Sequence, residues 1–215
     1  DSDYTALASS NVTLFAAGST AAFTIDVQTT DDAKVELDEA LSLILSTLAA
    51  GGRPVTFNGA GATLTGTGTI TNNDSAVISI SDASVTEGGQ LAFSVTISNP
   101  VDVAVTADRV TADGTATTAD NDYTALATGN VTLFAAGSTA ALTINVQSTA
   151  DSKVELNETL DLILSTLAAG GRAVTFAGGG ATLTGTGTIT NDDAAVVSIS
   201  DPSVTEGGVL AFSVT

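Results

Sequence analysis

Apolar side chains recur at every second position through much of this chain. In LAFSVTIS, Leu91, Phe93, Val95 and Ile97 alternate with smaller or polar residues, and in ALTINVQ the same is true of Leu142, Ile144 and Val146. A period of two lines one face of an extended chain, so these runs read as half-buried β-strands. TLTGTGTIT sets Leu64, Gly66, Gly68 and Ile70 on one face against threonines on the other, a pattern that a helix with two internal glycines would not hold. The stretch VELDEALSLIL has helical composition, yet Val35, Leu37, Leu41, Leu43 and Leu45 fall on odd positions, and the period assigns a strand. Turn residues separate the runs at Glu87-Gly88-Gly89, Ala112-Asp113-Gly114-Thr115, Ala136-Gly137-Ser138 and Ala168-Ala169-Gly170-Gly171.

The whole pattern repeats. Tyr4 maps onto Tyr123, Phe15 onto Phe134, Glu36 onto Glu155, Arg53 onto Arg172 and Glu87 onto Glu206, all at an offset of 119 without insertion or deletion. Of 96 comparable positions, 77 are identical. The frame predicts the later part of one repeat over 1–74, a complete repeat over 75–193 and the first strands of another over 194–215, a window on a longer array. About seven strands per repeat, with turns at this spacing, predict an all-β, immunoglobulin-like β-sandwich.

Charge then narrows the chemistry. Twenty-four Asp and Glu against five Lys and Arg leave a formal net charge of −19, which repels nucleic acid and anionic lipid and invites small cations. No run approaches the roughly 18 apolar residues of a membrane span, so no direct membrane insertion is expected. With neither Cys nor His, disulfides, thiolate sites, the usual zinc ligand and the usual general base are excluded. Carboxylate pairs serve glycosidases, but those sites use aromatic platforms, and this chain has no Trp and two Tyr. No enzyme activity is expected.

The acidic residues are not spread evenly. Asp31, Asp32, Glu36, Asp38 and Glu39 crowd together just before an apolar strand, and Asp74 follows the TLTGTGTIT run. In the next copy Asp151, Glu155 and Glu158 precede the strand, and Asp192 and Asp193 follow TLTGTGTIT. If those strand ends meet, the carboxylates converge, and keeping all of them ionised without a cation is costly. Calcium takes six to eight oxygen ligands in irregular geometry and suits acids drawn from several loops better than magnesium does. The plainer alternative is a solvated acidic tip that keeps the molecule soluble. The run Asp120-Asn121-Asp122-Tyr123 looks like the start of an EF-hand loop, but no Gly or closing Glu stands at the required spacing.

Five motifs in order, SVTEGG, ADGTATTADNDYTAL, VTLFAAGSTAALTINV, DSKVELNETLDLIL and GTGTITNDD, resemble the Calx-beta domain, which occurs in sodium–calcium exchangers and in tandem in giant bacterial surface and adhesin proteins. The resemblance implies a calcium site at one end of the sandwich. Carried over position by position, its ligands are Glu87, Asp113, Asp151, Glu155, Glu158, Asp192 and Asp193. The repeat extends the set to Asp31, Asp32, Glu36, Glu39, Asp74 and Glu206. Ala150 and Ser152 stand where the family often carries further Asp, and fewer ligands imply weaker binding or one ion instead of several.

These readings predict a calcium-binding, calcium-stiffened spacer repeat of a long extracellular adhesin or surface fibre, secreted to the cell surface. Its partners would be calcium ions, neighbouring repeats and other copies of itself. The alternatives are an adhesive or self-assembling module joined by strand complementation, and a calcium-sensing regulatory domain.

Overall fold

The computed structural model describes residues 2–215; Asp1, the first residue of the expected segment 1–74, lies outside the described residues. Strands form where the two-residue period runs. The first copy contributes β1 (Glu39–Ser46) and β2 (Thr63–Ile70), an antiparallel pair with Glu39 opposite Ile70. The following residues supply β3 (Ala76–Ile80), β4 (Ala83–Thr86), β5 (Gln90–Ile97), β6 (Val105–Asp113), β7 (Gly129–Phe134), β8 (Leu142–Gln147), β9 (Glu158–Ala168), β10 (Val174–Phe176) and β11 (Thr182–Thr190).

These nine strands close a two-sheet sandwich. One sheet runs β10-β3-β5-β8 and the other β4-β11-β9-β6-β7. Leu91, Phe93 and Val95 of β5 face Leu160, Leu162 and Leu164 of β9 across the core, and all six are fully buried. The glycines of TLTGTGTIT belong to this inner face: a Cβ at Gly187 would come within 2.9 Å of Leu91 and Phe93. The threonines therefore alternate outward, as the period requires.

Nine strands stand where about seven were expected from the spacing, for two reasons. The first run of the repeat breaks at Ser81–Asp82, so that β3 pairs with β5 in one sheet and β4 runs parallel to β11 in the other. Asp82 pins the break by accepting the Thr186 N–H at 2.8 Å. The three-residue β10 is an additional edge, parallel to β3.

The expected strand over Val35–Leu45 begins only at Glu39. Ahead of it, side chains replace the ladder: Asn72 Oδ1 accepts the Glu36 N–H at 3.2 Å, and Asp38 Oδ1 accepts the Asn72 N–H at 3.0 Å. The second copy repeats both bonds with Asn191 and Asn157, so the Asp38-to-Asn157 exchange swaps one acceptor for another. Val35 is freed to pair elsewhere. It forms a parallel bridge with Val101 in the β5–β6 loop, donates its N–H to Pro100 O at 2.9 Å, accepts from Asp102 N–H at 3.2 Å, and is 0% exposed in the core of the following sandwich. Beside it, Arg172 makes a bidentate pair with Asp102, at 2.7 and 2.6 Å.

Candidate metal centre at the acidic end of the sandwich

Strand directions decide which acids meet. β4 and β11 run parallel, so Glu87 after one and Asp192 and Asp193 after the other emerge at the same end. β9 runs antiparallel to β11, which brings its first residue, Glu158, to that end beside Ile189. β6 is antiparallel to β9 and ends there at Asp113. β8 closes against the start of β5 and delivers Asp151 to the same place.

Among the described residues, carboxylates form two groups. Glu87, Asp192 and Asp193 make one, and Asp122, Glu155 and Glu158 the other; within each, one oxygen per residue lies within 4.8 Å of the rest. That spacing suits ligand atoms around one cation with oxygens at 2.3–2.6 Å. In the first group, Glu87 Oε2 and Asp193 Oδ2 are buried without a hydrogen-bond partner among the described residues. A buried unpaired carboxylate oxygen is costly, so these two atoms fit a cation. Burial raises the Glu87 carboxyl above its usual range, helped by the charges of Asp151, Asp193, Asp192 and Glu155. In the second group, Glu158 is pushed up to about 7, chiefly by burial and then by Asp122 and Glu155. Lys153, paired with Glu155, supplies a positive charge here.

Asp151 lies close enough to act on Glu87, and its Oδ1 accepts the Lys153 N–H at 2.7 Å, which shapes the loop. Asp113 is engaged differently. Its Oδ1 accepts from the Tyr123 hydroxyl at 2.6 Å and from the Thr118 N–H at 3.2 Å, and its carboxyl is held low, first of all by Tyr123. Neither carboxylate group includes it. Asp122 is the acid that the sequence reading missed. It is 8% exposed, and its Oδ2 accepts the Thr117 N–H at 2.6 Å as the loop after β6 folds back. The signal available was its recurrence as Asp3, ahead of the same Tyr-Thr-Ala-Leu-Ala.

In the first copy, Asp3, Asp31, Asp32, Glu36, Glu39 and Asp74 line one cleft. The Glu39 carboxyl is raised, first by its hydrogen bond with Asp3, as its counterpart Glu158 is raised beside Asp122. Asp32 Oδ1 accepts the Lys34 N–H at 2.8 Å, as Asp151 does for Lys153. Glu206 is exposed and joins neither carboxylate group among the described residues.

The family model described as the Calx-beta domain matches residues 1–74 and 69–193. No curated protein matches the chain. Among solved structures the chain is similar to the apo-form Calx CBD1 domain, with a TM-score of 0.46 and 20% identity over 56% of this chain and 100% of that one. It is also similar to CBD12 from CALX1.2, with a TM-score of 0.46 and 19% identity over 59% of this chain and 50% of that one. A third match is the calcium binding domain CBD12 of CALX1.1, with a TM-score of 0.45 and 20% identity over 61% and 53%. The chain spans about half the length of the two CBD12 proteins.

Proposed function

The chain belongs to the Calx-beta domain family, and from that premise we propose that its acidic end binds calcium and that the ion stiffens a tandem extracellular spacer. One observation carries the calcium reading: Glu87 Oε2 and Asp193 Oδ2 are buried, unpartnered and grouped with Asp192. Glu87, Asp192 and Asp193 would hold one ion and Asp122, Glu155 and Glu158 another, with Asp151 close to the first. Bound calcium would supply the positive charge that lets these acids ionise together, and its tolerance of irregular oxygen geometry suits ligands drawn from four separate segments. The reading contains no catalytic step.

The spacer role rests on how copies are arranged. The acidic cleft of the first copy includes Lys34 and Glu36, which flank the Val35 seated in the next sandwich. An ion held by Glu36 therefore lies at the junction between copies, where it fixes their angle. Near-identical tandem units on an array exposed to millimolar external calcium suit a surface fibre or adhesin stalk.

Isothermal titration of the 215-residue chain with calcium tests the reading. Saturable binding is expected, and Glu87→Gln should weaken the site it touches at least tenfold, about 1.4 kcal/mol. The absence of any saturable binding at millimolar calcium, with magnesium behaving alike, would leave only a solvated acidic tip.

A further inference from the structure

The segment Lys34-Val35-Glu36-Leu37 occurs again, unchanged, as Lys153-Val154-Glu155-Leu156. The first copy is seated and the second is not: Val35 is 0% exposed and Val154 55%, Leu37 48% and Leu156 86%. We propose that Lys153–Leu156 is a docking peg whose occupant is a further copy of the face built by Pro100–Asp102 and Gly170–Arg172, so that successive copies lock end to end.

The seated segment shows what covers such a peg. Val35 fills the core beside Val101 and trades two backbone hydrogen bonds with Pro100 and Asp102. Leu37 lies over Gly171, where a Cβ would meet Leu37 Cδ2 at 4.0 Å. Lys34 acts favourably on Asp102, and Glu36 on Arg172, so the charges alternate across the contact. Lys153 and Glu155 present the same two signs in the same order.

The unseated segment already has the seated shape. Lys153 N–H donates to Asp151 Oδ1 at 2.7 Å where Lys34 N–H donates to Asp32 Oδ1 at 2.8 Å. Asn191 Oδ1 accepts from the Glu155 N–H at 3.1 Å where Asn72 Oδ1 accepts from the Glu36 N–H at 3.2 Å. Both bonds lie within one copy, so the peg is pre-organised and little ordering entropy is spent when it docks. Peg and socket stand at opposite ends of a sandwich, which makes the contact heterologous and able to propagate.

The proposal rests on the repeat, not on calcium, and the experiment is run in chelator to keep the two apart. In the 215-residue chain, amide hydrogen exchange should be slow at Val35 and fast at Val154. Appending residues 97–193 in register after Thr215 supplies the missing socket. Exchange at Val154 should then slow by roughly 100-fold, toward the rate of a buried hydrogen-bonded amide. A cysteine at Val154 and another at the appended counterpart of Val101 should form a disulfide, as Val35→Cys with Val101→Cys should in the original chain, whose own sequence holds no cysteine. Unchanged exchange at Val154 in a chain that still protects Val35 overturns the proposal. So does closure of the Val35 and Val101 pair alone. Protection of Val154 in a chain that binds no calcium leaves the peg standing and removes the calcium reading only.

Discussion

Glu158 is the residue at which the acidic end depends most on pH. Its carboxyl is raised from 4.5 to about 7, first by burial and then by its acidic neighbours. The folded chain therefore holds this proton more tightly than the unfolded chain. Its contribution to stability is full below about 4.5 and is lost as pH rises through about 7. In chelator the melting temperature should fall between those limits, calcium should suppress the fall, and Glu158→Gln should flatten the profile. A wild-type profile already flat in chelator would mean that Glu158 is not desolvated. Asp113 behaves in the opposite sense, because Tyr123 and Thr118 stabilise its charged form. Asp113→Asn should lower the melting temperature and leave calcium stoichiometry unchanged in titration, whereas loss of an ion would return Asp113 to the ligand set.

At the scale of elements, the site depends on how closely the β6–β7 loop approaches the start of β9. Gly114 lies against the start of β9, where a Cβ would collide with the carbonyl oxygen of Thr159. That oxygen accepts the Ala116 N–H at 2.9 Å, so the loop has no room to withdraw without breaking the bond. Gly114→Ala should destabilise the sandwich by about 1–3 kcal/mol and, by shifting the neighbouring Glu158, weaken calcium binding although no ligand is altered. Leu162→Ala is the matching control. It opens the core with a cost of about 2–5 kcal/mol, and calcium affinity below the melting transition should be unchanged. Equal effects of the two substitutions on affinity would show that stability, not loop position, governs the site.

For the whole molecule, the sandwich is polar in the sense of having two different ends. One end gathers carboxylates; the other, at Pro100–Asp102 and Gly170–Arg172, receives the preceding copy. Complete burial of Val35 contributes about 1.5–3 kcal/mol to that junction, and the Asp102–Arg172 pair beside it is half-buried. Asp102 stands outside the acidic cluster, yet its removal leaves Arg172 without this partner. Spin labels on the β1–β2 hairpin and on the sandwich should report a narrow distance distribution with calcium and a broader one in chelator. Val35→Asp should broaden it under both conditions. A distribution indifferent to chelator would place calcium away from the junction; one indifferent to Val35→Asp would deny the valine any part in it.

Much of this was legible in the chain itself. Alternation at Leu91–Ile97 and Leu142–Val146 marks strands because a two-residue period is a local property, and an offset of 119 needs only counting. The pairing of acids before β9 with acids after β11 follows once those strands are antiparallel neighbours. Other features have no local signal. Asp122 reads as part of a failed EF-hand start, and only the fold-back of the β6–β7 loop buries it beside Glu158. Asp113 and Asp122 are both acids near a turn, and what separates them is tertiary: the Tyr123 hydroxyl and Thr118 engage Asp113, whereas Asp122 is buried in the carboxylate group. Val35 shows the limit most plainly. Its period assigned it correctly to an apolar face, but a period states only that a side chain leaves water. What it is buried against was decided by tertiary structure, because the surface that covers it, around Val101, lies in the next copy of the repeat.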